Sequence, residues 1–217
     1  MNRLFNMDNG IFRGLSKMVD CIFLSMLFWL TCIPIFTIGT AMSAMYYTVQ
    51  KVIRHDRGYV ASTYWSGLKM NFKQGTVIWL IVLAVGLLLF GDVEIMKAML
   101  EAGNKIGNSY VFFGVMLFFE MVWCIYLFPY MSRFENKNKA VMKNAAFIAI
   151  LNLPWTLLII LITVVFALIL YIIPMTMIIV PAVYTWVLNL ILERIFRKYM
   201  SEEDKAAEDE MNREYKN

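Results

Sequence analysis

Between Asn144 and Leu192 the chain has no Asp, Glu, Lys, Arg or His, a run of 49 residues. As one helix that run would be about 73 Å long, against a bilayer hydrocarbon core about 30 Å thick. A soluble core of this size has no need of such a stretch. The run is too long for one crossing, so it must fold back, and Ile172-Ile173-Pro174 is the expected turn. Charge is scarce over the whole chain: 17% of residues are charged and 60% are apolar. Soluble domains carry about 25% charged and 45–50% apolar residues. Those two shortages exclude a soluble globule and leave an integral membrane protein.

Chemistry-bearing residues are also few. The three cysteines, Cys21, Cys32 and Cys124, lie in apolar stretches with no C-x-x-C spacing. They form neither a disulfide framework nor a zinc site and read as small packing residues. His55 is the single histidine; it cannot make a zinc site alone, and no H-E-x-x-H occurs. A G-x-x-x-x-G-K-[ST] loop and a G-x-S-x-G elbow are both missing. No enzyme, cofactor or metal is therefore expected. The net charge of +4 is not gathered on a soluble face, which argues against nucleic acid. Lipid headgroups beside the apolar spans account for the basic residues better.

The apolar segments that are present give an all-α architecture: a polytopic bundle of about five transmembrane helices plus amphipathic interfacial helices. Expected spans run over residues 19–38, 74–93, 110–130, 153–173 and 175–192. Residues 1–200 form one helical domain, and 201–217 a charged, frayed or disordered tail. Three segments read as interfacial helices. The first combines Phe5, Ile11, Phe12 and Leu15 with Arg13 and Lys17. The second covers 59–74, and the third 131–152. Ala41-Met42-Ser43 outlines a faint leader cleavage site, but Asp8, Asp20 and an uncharged run reaching Gln50 argue against a cleaved leader.

Basic residues set the orientation. Segment 51–73 carries five Lys or Arg, 133–143 four, and the tail from Arg194 six, whereas 92–105 carries two against three acids. The positive-inside rule places the three basic regions, and so the C-terminus, in the cytoplasm. Five spans then put the N-terminus outside, against the vote of Arg3, Arg13 and Lys17; a re-entrant Pro34 segment is the alternative.

Glu120 is the one acid in the middle of a span, a functional candidate by default. It reads either as a proton or cation relay or partner contact, or as a neutral carboxyl hydrogen-bonded inside the bundle. Pro34, Gly39, Pro129, Pro154 and Pro174 are candidate helix breaks; such breaks either line a substrate path or are plain kinks. Lys69, Phe72, Lys73, Arg133, Phe134 and Lys143 sit in the basic amphipathic segments and are candidates for docking a cytoplasmic partner. Lying on anionic lipid is the simpler use of those segments.

Four groups of residues carry a family resemblance. They are Cys32-Ile33-Pro34-Ile35-Phe36-Thr37-Ile38-Gly39 with Ala44-Met45-Tyr46-Tyr47; Gly58-Tyr59-Val60 with Leu68-Lys69-Met70-Asn71-Phe72-Lys73-Gln74 and Trp79-Leu80-Ile81; Phe128-Pro129-Tyr130 with Arg133-Phe134-Glu135-Asn136; and Lys143-Asn144-Ala145 with Asn152-Leu153-Pro154. Together they resemble the YesL family of bacterial membrane proteins, with Ser43 departing from an expected Thr. The resemblance implies a five-span protein of the bacterial inner membrane. It also implies an accessory role beside carbohydrate importers of the ATP-binding cassette (ABC) type, with permease or ATPase subunits as partners. It supplies no catalytic residues. A stand-alone transporter or channel, and a membrane partner of a sensor signalling through the tail, are the alternatives.

Overall fold

Helix forms wherever the apolar runs lack a breaker, and proline marks most of the joints. The computed structural model describes residues 10–214, with side chains placed for residues 14–213. Phe5, Ile11 and Phe12 of the first expected amphipathic face therefore lie outside the described side chains. The first helix, α1, covers Gly10–Cys32. The expected span runs on to Ile38, but the helix stops two residues before Pro34, which is extended (φ −76°, ψ 117°). The proline ring clashes with a helical conformation at the preceding residue, so Ile33 cannot continue the turn. Pro34 thus separates two helices and does not kink one.

The next helix, α2 (Ile38–Thr48), passes into a π-helical segment over Val49–Arg54. Gly39 is no break. It lies in the first turn of α2, where an added Cβ would come within 2.6 Å of Phe128 Cε1 and of Trp79 Cβ. Its missing side chain lets three elements close on one another.

After a turn at residues 55–59, α3 runs unbroken over Val60–Glu101, 42 residues, or about 63 Å. Sequence divides this stretch into an interfacial helix and a span beginning at Gln74. The structure joins them, because nothing between them breaks a helix. At Gly75 the close approach of Thr40, whose Cα lies 3.0 Å from an ideal Cβ, leaves room only for hydrogen. A short 3-10 turn at Lys105–Ser109 leads into α4 (Tyr110–Arg133). Pro129 is inside α4, and the helix continues through it. Sitting one turn from the end, the proline removes a single backbone hydrogen bond there.

Helix α5 (Asn138–Leu151) and helix α6 (Leu153–Ile172) meet at Asn152, with Pro154 in the first turn of α6. Proline is tolerated there because its missing N–H would be unpaired anyway. Pro174 opens the 3-10 turn Pro174–Ile178, which folds the chain back into α7 (Val180–Phe196). Pro154 and Pro174 thus both lie at joints between helices. The last helix, α8, covers Glu202–Glu214.

Among the described residues four helices are long and apolar enough to cross a membrane: α1, α3, α4 (with its preceding turn) and α6. Helix α7 has 17 residues, about 25 Å, and is short for a span on its own. The helices pair as antiparallel hairpins. Gly86 faces Glu120, and Gly107 faces Leu100, between α3 and α4. Thr163 bonds Tyr184 between α6 and α7. In α1 and α2 the open ends meet where Lys17 pairs with Asp56 at 3.2 Å.

That ion pair corrects the orientation. Lys17 lies beside the 55–59 turn, and Arg57 in that turn reaches Met211 of α8. The start of α1 and the C-terminal helix therefore occupy the same end of the bundle, not opposite ends. This end also holds Arg54, Arg133 and Arg197, and is called the basic end below.

Two apolar clusters hold the helices. One packs Tyr46, Tyr126, Phe128, Leu192 and Phe196; the other packs Leu24, Met45, Ile53 and Tyr64. In the most apolar windows of α3 and α6 only 11% of residues are buried inside the protein. The rest of that surface is Leu, Ile, Val and Phe facing outward. Only hydrocarbon is a favourable solvent for such a surface.

Candidate functional site: a polar groove at the basic end

The π-helical segment sets the groove. Segments of this kind are rare and gather at functional sites. Here it carries Gln50, which is buried and donates from Nε2 to Glu208 Oε1 of α8 at 3.3 Å. One turn earlier, Tyr46 is fully enclosed and donates its hydroxyl to Glu193 Oε1 at 3.0 Å. Glu193 is 2% exposed and takes Arg133 Nε on its other oxygen at 3.1 Å. Arg133 also pairs with Glu208. One guanidinium thus clamps two carboxylates from different helices, with a tyrosine and a glutamine closing the set.

Phe134, the next residue, stacks on Tyr130 with ring centres 4.6 Å apart and meets Phe196 edge-on. At the end of the π-helical segment Arg54 donates to Asn189 Oδ1 of α7 at 3.0 Å. Arg57 is buried, contacts Met211 sulfur at 3.8 Å, and leaves its Nε without a partner. A cavity of about 540 Å³ remains under α8. It adjoins a second, of about 770 Å³, lined by Asn71, Gln74 and Asn136 among others.

Outside the groove Arg197 grips Asp209 through Nη2, at 3.0 and 2.8 Å from its two oxygens. That hydrogen bond holds the Asp209 carboxyl below its usual range, and Arg197 correspondingly higher. His55 adds a smaller pull on Asp209 in the same direction. His55 thus belongs to the field around α8, where sequence suggests only a solvated turn.

The six docking candidates divide. Arg133 and Phe134 are internal: one ties α4 to α7 and α8, the other is wedged among aromatic rings. Neither is a free contact residue, because their partners are already on this chain. Lys69, Phe72, Lys73 and Lys143 are exposed at the surface, and Lys143 lies over the Phe147 ring at 5.5 Å. Glu120 stands apart from the groove, in the middle of α4. Its Oε2 would lie 3.2 Å from a Cβ on Gly86, and its Oε1 is buried with no hydrogen-bond partner.

Sequence reading did not find Tyr46, Gln50, Arg57, Glu193 or Glu208. Two of them leave a signal. Glu193 falls on the apolar stripe Leu188, Leu192, Phe196, a position where an acid needs an internal partner. Glu208 shares a helical face with Ala207 and Met211 in a tail that otherwise reads as uniformly charged. Among the described residues no group of His, Cys, Asp or Glu is arranged to hold a metal ion.

Fold and groove together define a multi-pass helical membrane protein with a self-capped polar end. The family model described as "Protein of unknown function, DUF624" matches residues 21–93, from α1 through most of α3. That family is YesL-like, in agreement with the resemblance carried by the motifs. The matched segment holds Gln50, Arg57, Lys69, Phe72 and Lys73. Arg133, Glu193 and Glu208 lie beyond it. No curated protein and no solved structure matches the chain.

Proposed function

We propose that this chain is a non-enzymatic accessory membrane protein that docks a partner at its basic end. The partner class is the permease or ATPase subunits of a carbohydrate ABC importer in the bacterial inner membrane, as the YesL resemblance implies. The basic end, with the C-terminus, faces the cytoplasm under the positive-inside rule. The observation that supports this reading is the groove itself. It is polar, partly empty, and continues into the cavity lined by Met70, Asn71 and Gln74 of α3; Lys69, Phe72 and Lys73 on the same turns of α3, and Lys143 on α5, are exposed. An amphipathic element of a partner would bind there through apolar contact and charge.

The test is purification of the tagged protein in mild detergent, followed by mass spectrometry. Importer permease subunits should copurify, and Lys69→Glu with Lys73→Glu should reduce them. A protein that is solitary at native abundance refutes the reading. The unpartnered oxygen of Glu120 favours a second reading, a solute pathway between α3 and α4. It predicts flux in liposomes holding this protein alone, lost in Glu120→Gln.

A further inference from the structure

Helix α8 is attached to the bundle by long side chains, and close backbone approach to the core is sparse. It is strongly acidic, with seven acidic and two basic residues between Glu202 and Glu214. The face it turns inward is Asp204, Ala207, Glu208 and Met211, at helical positions i, i+3, i+4 and i+7. The core side of the same cavity supplies Lys51, Arg57 and Arg133 against one acid, Glu135. Glu193, bonded to Arg133 from behind the wall, offsets part of this charge, and the core side stays basic until Asp204 and Glu208 of α8 face it.

The fit is incomplete. Gln50 Oε1 and Arg57 Nε are buried without partners, on residues 6% and 8% exposed. Buried polar atoms of this kind are normally satisfied. Both residues line the remaining cavity of about 540 Å³.

We propose that this groove is an exchangeable acceptor for an acidic amphipathic helix, with α8 as its resident occupant. An incoming partner helix presents a carboxylate to Arg133 and Gln50 in place of Glu208, with a small residue just before it in place of Ala207. It carries a second acid one turn earlier and an apolar residue one turn later. The inference rests on the basic end being a docking face. Its test uses no importer subunit, so either statement can fail without the other.

The probe is a fluorescent synthetic peptide of residues 201–214, titrated into the full-length protein in nanodiscs. In the wild type the tethered α8 competes at an effective concentration on the order of millimolar. Glu208→Gln in the full chain weakens the resident helix and leaves the core side of the groove unchanged. The peptide should bind this variant at least about tenfold more tightly than wild type, as expected for loss of a charge-assisted contact. Asp209→Asn, which loosens α8 from outside the groove, should act in the same direction. A peptide carrying Glu208→Gln should bind both variants at least about tenfold more weakly than the unaltered peptide. Equal affinity for wild type and both variants overturns the proposal. So does binding indifferent to Glu208 in the peptide, or no binding to any of the three proteins.

Discussion

Replacing Arg133 by methionine should be the most damaging single change at the basic end. The substitution keeps the length of the stem and removes the guanidinium. Glu193, 2% exposed, then keeps only the Tyr46 hydroxyl, and Glu208 keeps only Gln50. Breaking a buried ion pair by deleting one partner costs about 3–5 kcal/mol, because a charge is left in a medium that cannot solvate it. For a chain of this size that corresponds to a fall in midpoint on the order of 10 °C. The reciprocal change, Glu193→Gln, should cost less. Arg133 is 17% exposed on its side chain and retains Glu208, so it is neither dry nor alone. Combining the two should recover the share of the loss tied to Glu193, since the neutral amide still accepts from Tyr46, while Glu208 stays without its guanidinium. Thermal unfolding in mild detergent, followed by tryptophan fluorescence, reads all three. A loss under about 1 kcal/mol for Arg133→Met would refute the view that this pair is desolvated. A double variant as unstable as Arg133→Met would instead locate the damage at Glu208 and in lost packing.

Other consequences are simpler to check. Gly39→Ala should lower stability by about 1–3 kcal/mol through overpacking, because its methyl would meet Phe128 and Trp79 at 2.6 Å; Gly91→Ala, with nothing within 4 Å, serves as the control. The Asp209 carboxyl is held below its ordinary value of 3.8 by Arg197. That contact is fully present above the ordinary value and is lost as pH falls through the depressed one. The part of the acid-induced loosening of α8 that comes from this contact should therefore appear, in hydrogen exchange, only under strongly acidic conditions, and Asp209→Asn should remove that part. Cysteines placed at Lys17 and Lys205 should react with an impermeant reagent from the same side of the membrane; labelling from opposite sides would contradict the Lys17–Asp56 pair. Trp79→Phe deletes a 2.7 Å donation to the Ile35 carbonyl and should cost about 0.5–1.5 kcal/mol in the same unfolding assay.

How much of this is readable from sequence depends on the range of the interaction. The uncharged run, the fold-back at Pro174 and the joint at Asn152-Pro154 are local, and the residues state them directly. The fates of Pro34 and Gly39 are half local. Proline disfavours a helix at the residue before it and ends one at Ile33, though α4 runs on through Pro129; Gly39 takes its meaning from Phe128, far along the chain. Orientation is misread because α2 is too short to register as a pass. Once the return through α2 and the π-helical segment is counted, the ends of α1 and α8 fall together. The groove is least legible. Arg133 and Phe134 stand out as surface basic and aromatic residues until Glu193 and Glu208 arrive from 60 and 75 positions away. Pairing at that separation has no periodic signature.

Helix α3 is about twice as long as a bilayer's hydrocarbon is thick. To lie wholly inside lipid it would have to lean about 60° from the normal, beyond the 0–40° that membrane helices adopt. The uncharged stretch from Gly75 to Gly91 is about 26 Å long and pairs with α4, while Asp92, Glu94, Lys97 and Glu101 carry the far end of the helix out of the hydrocarbon. The 60–74 portion lies against α1 and α2: the Tyr64 hydroxyl bonds Thr31, and Gly67 rests on Tyr47 and Ala44. Seated on α1 and α2 over its first half and on α4 over its second, α3 works as a keel that ties the two hairpins together, so a tilt of either one is handed to the other.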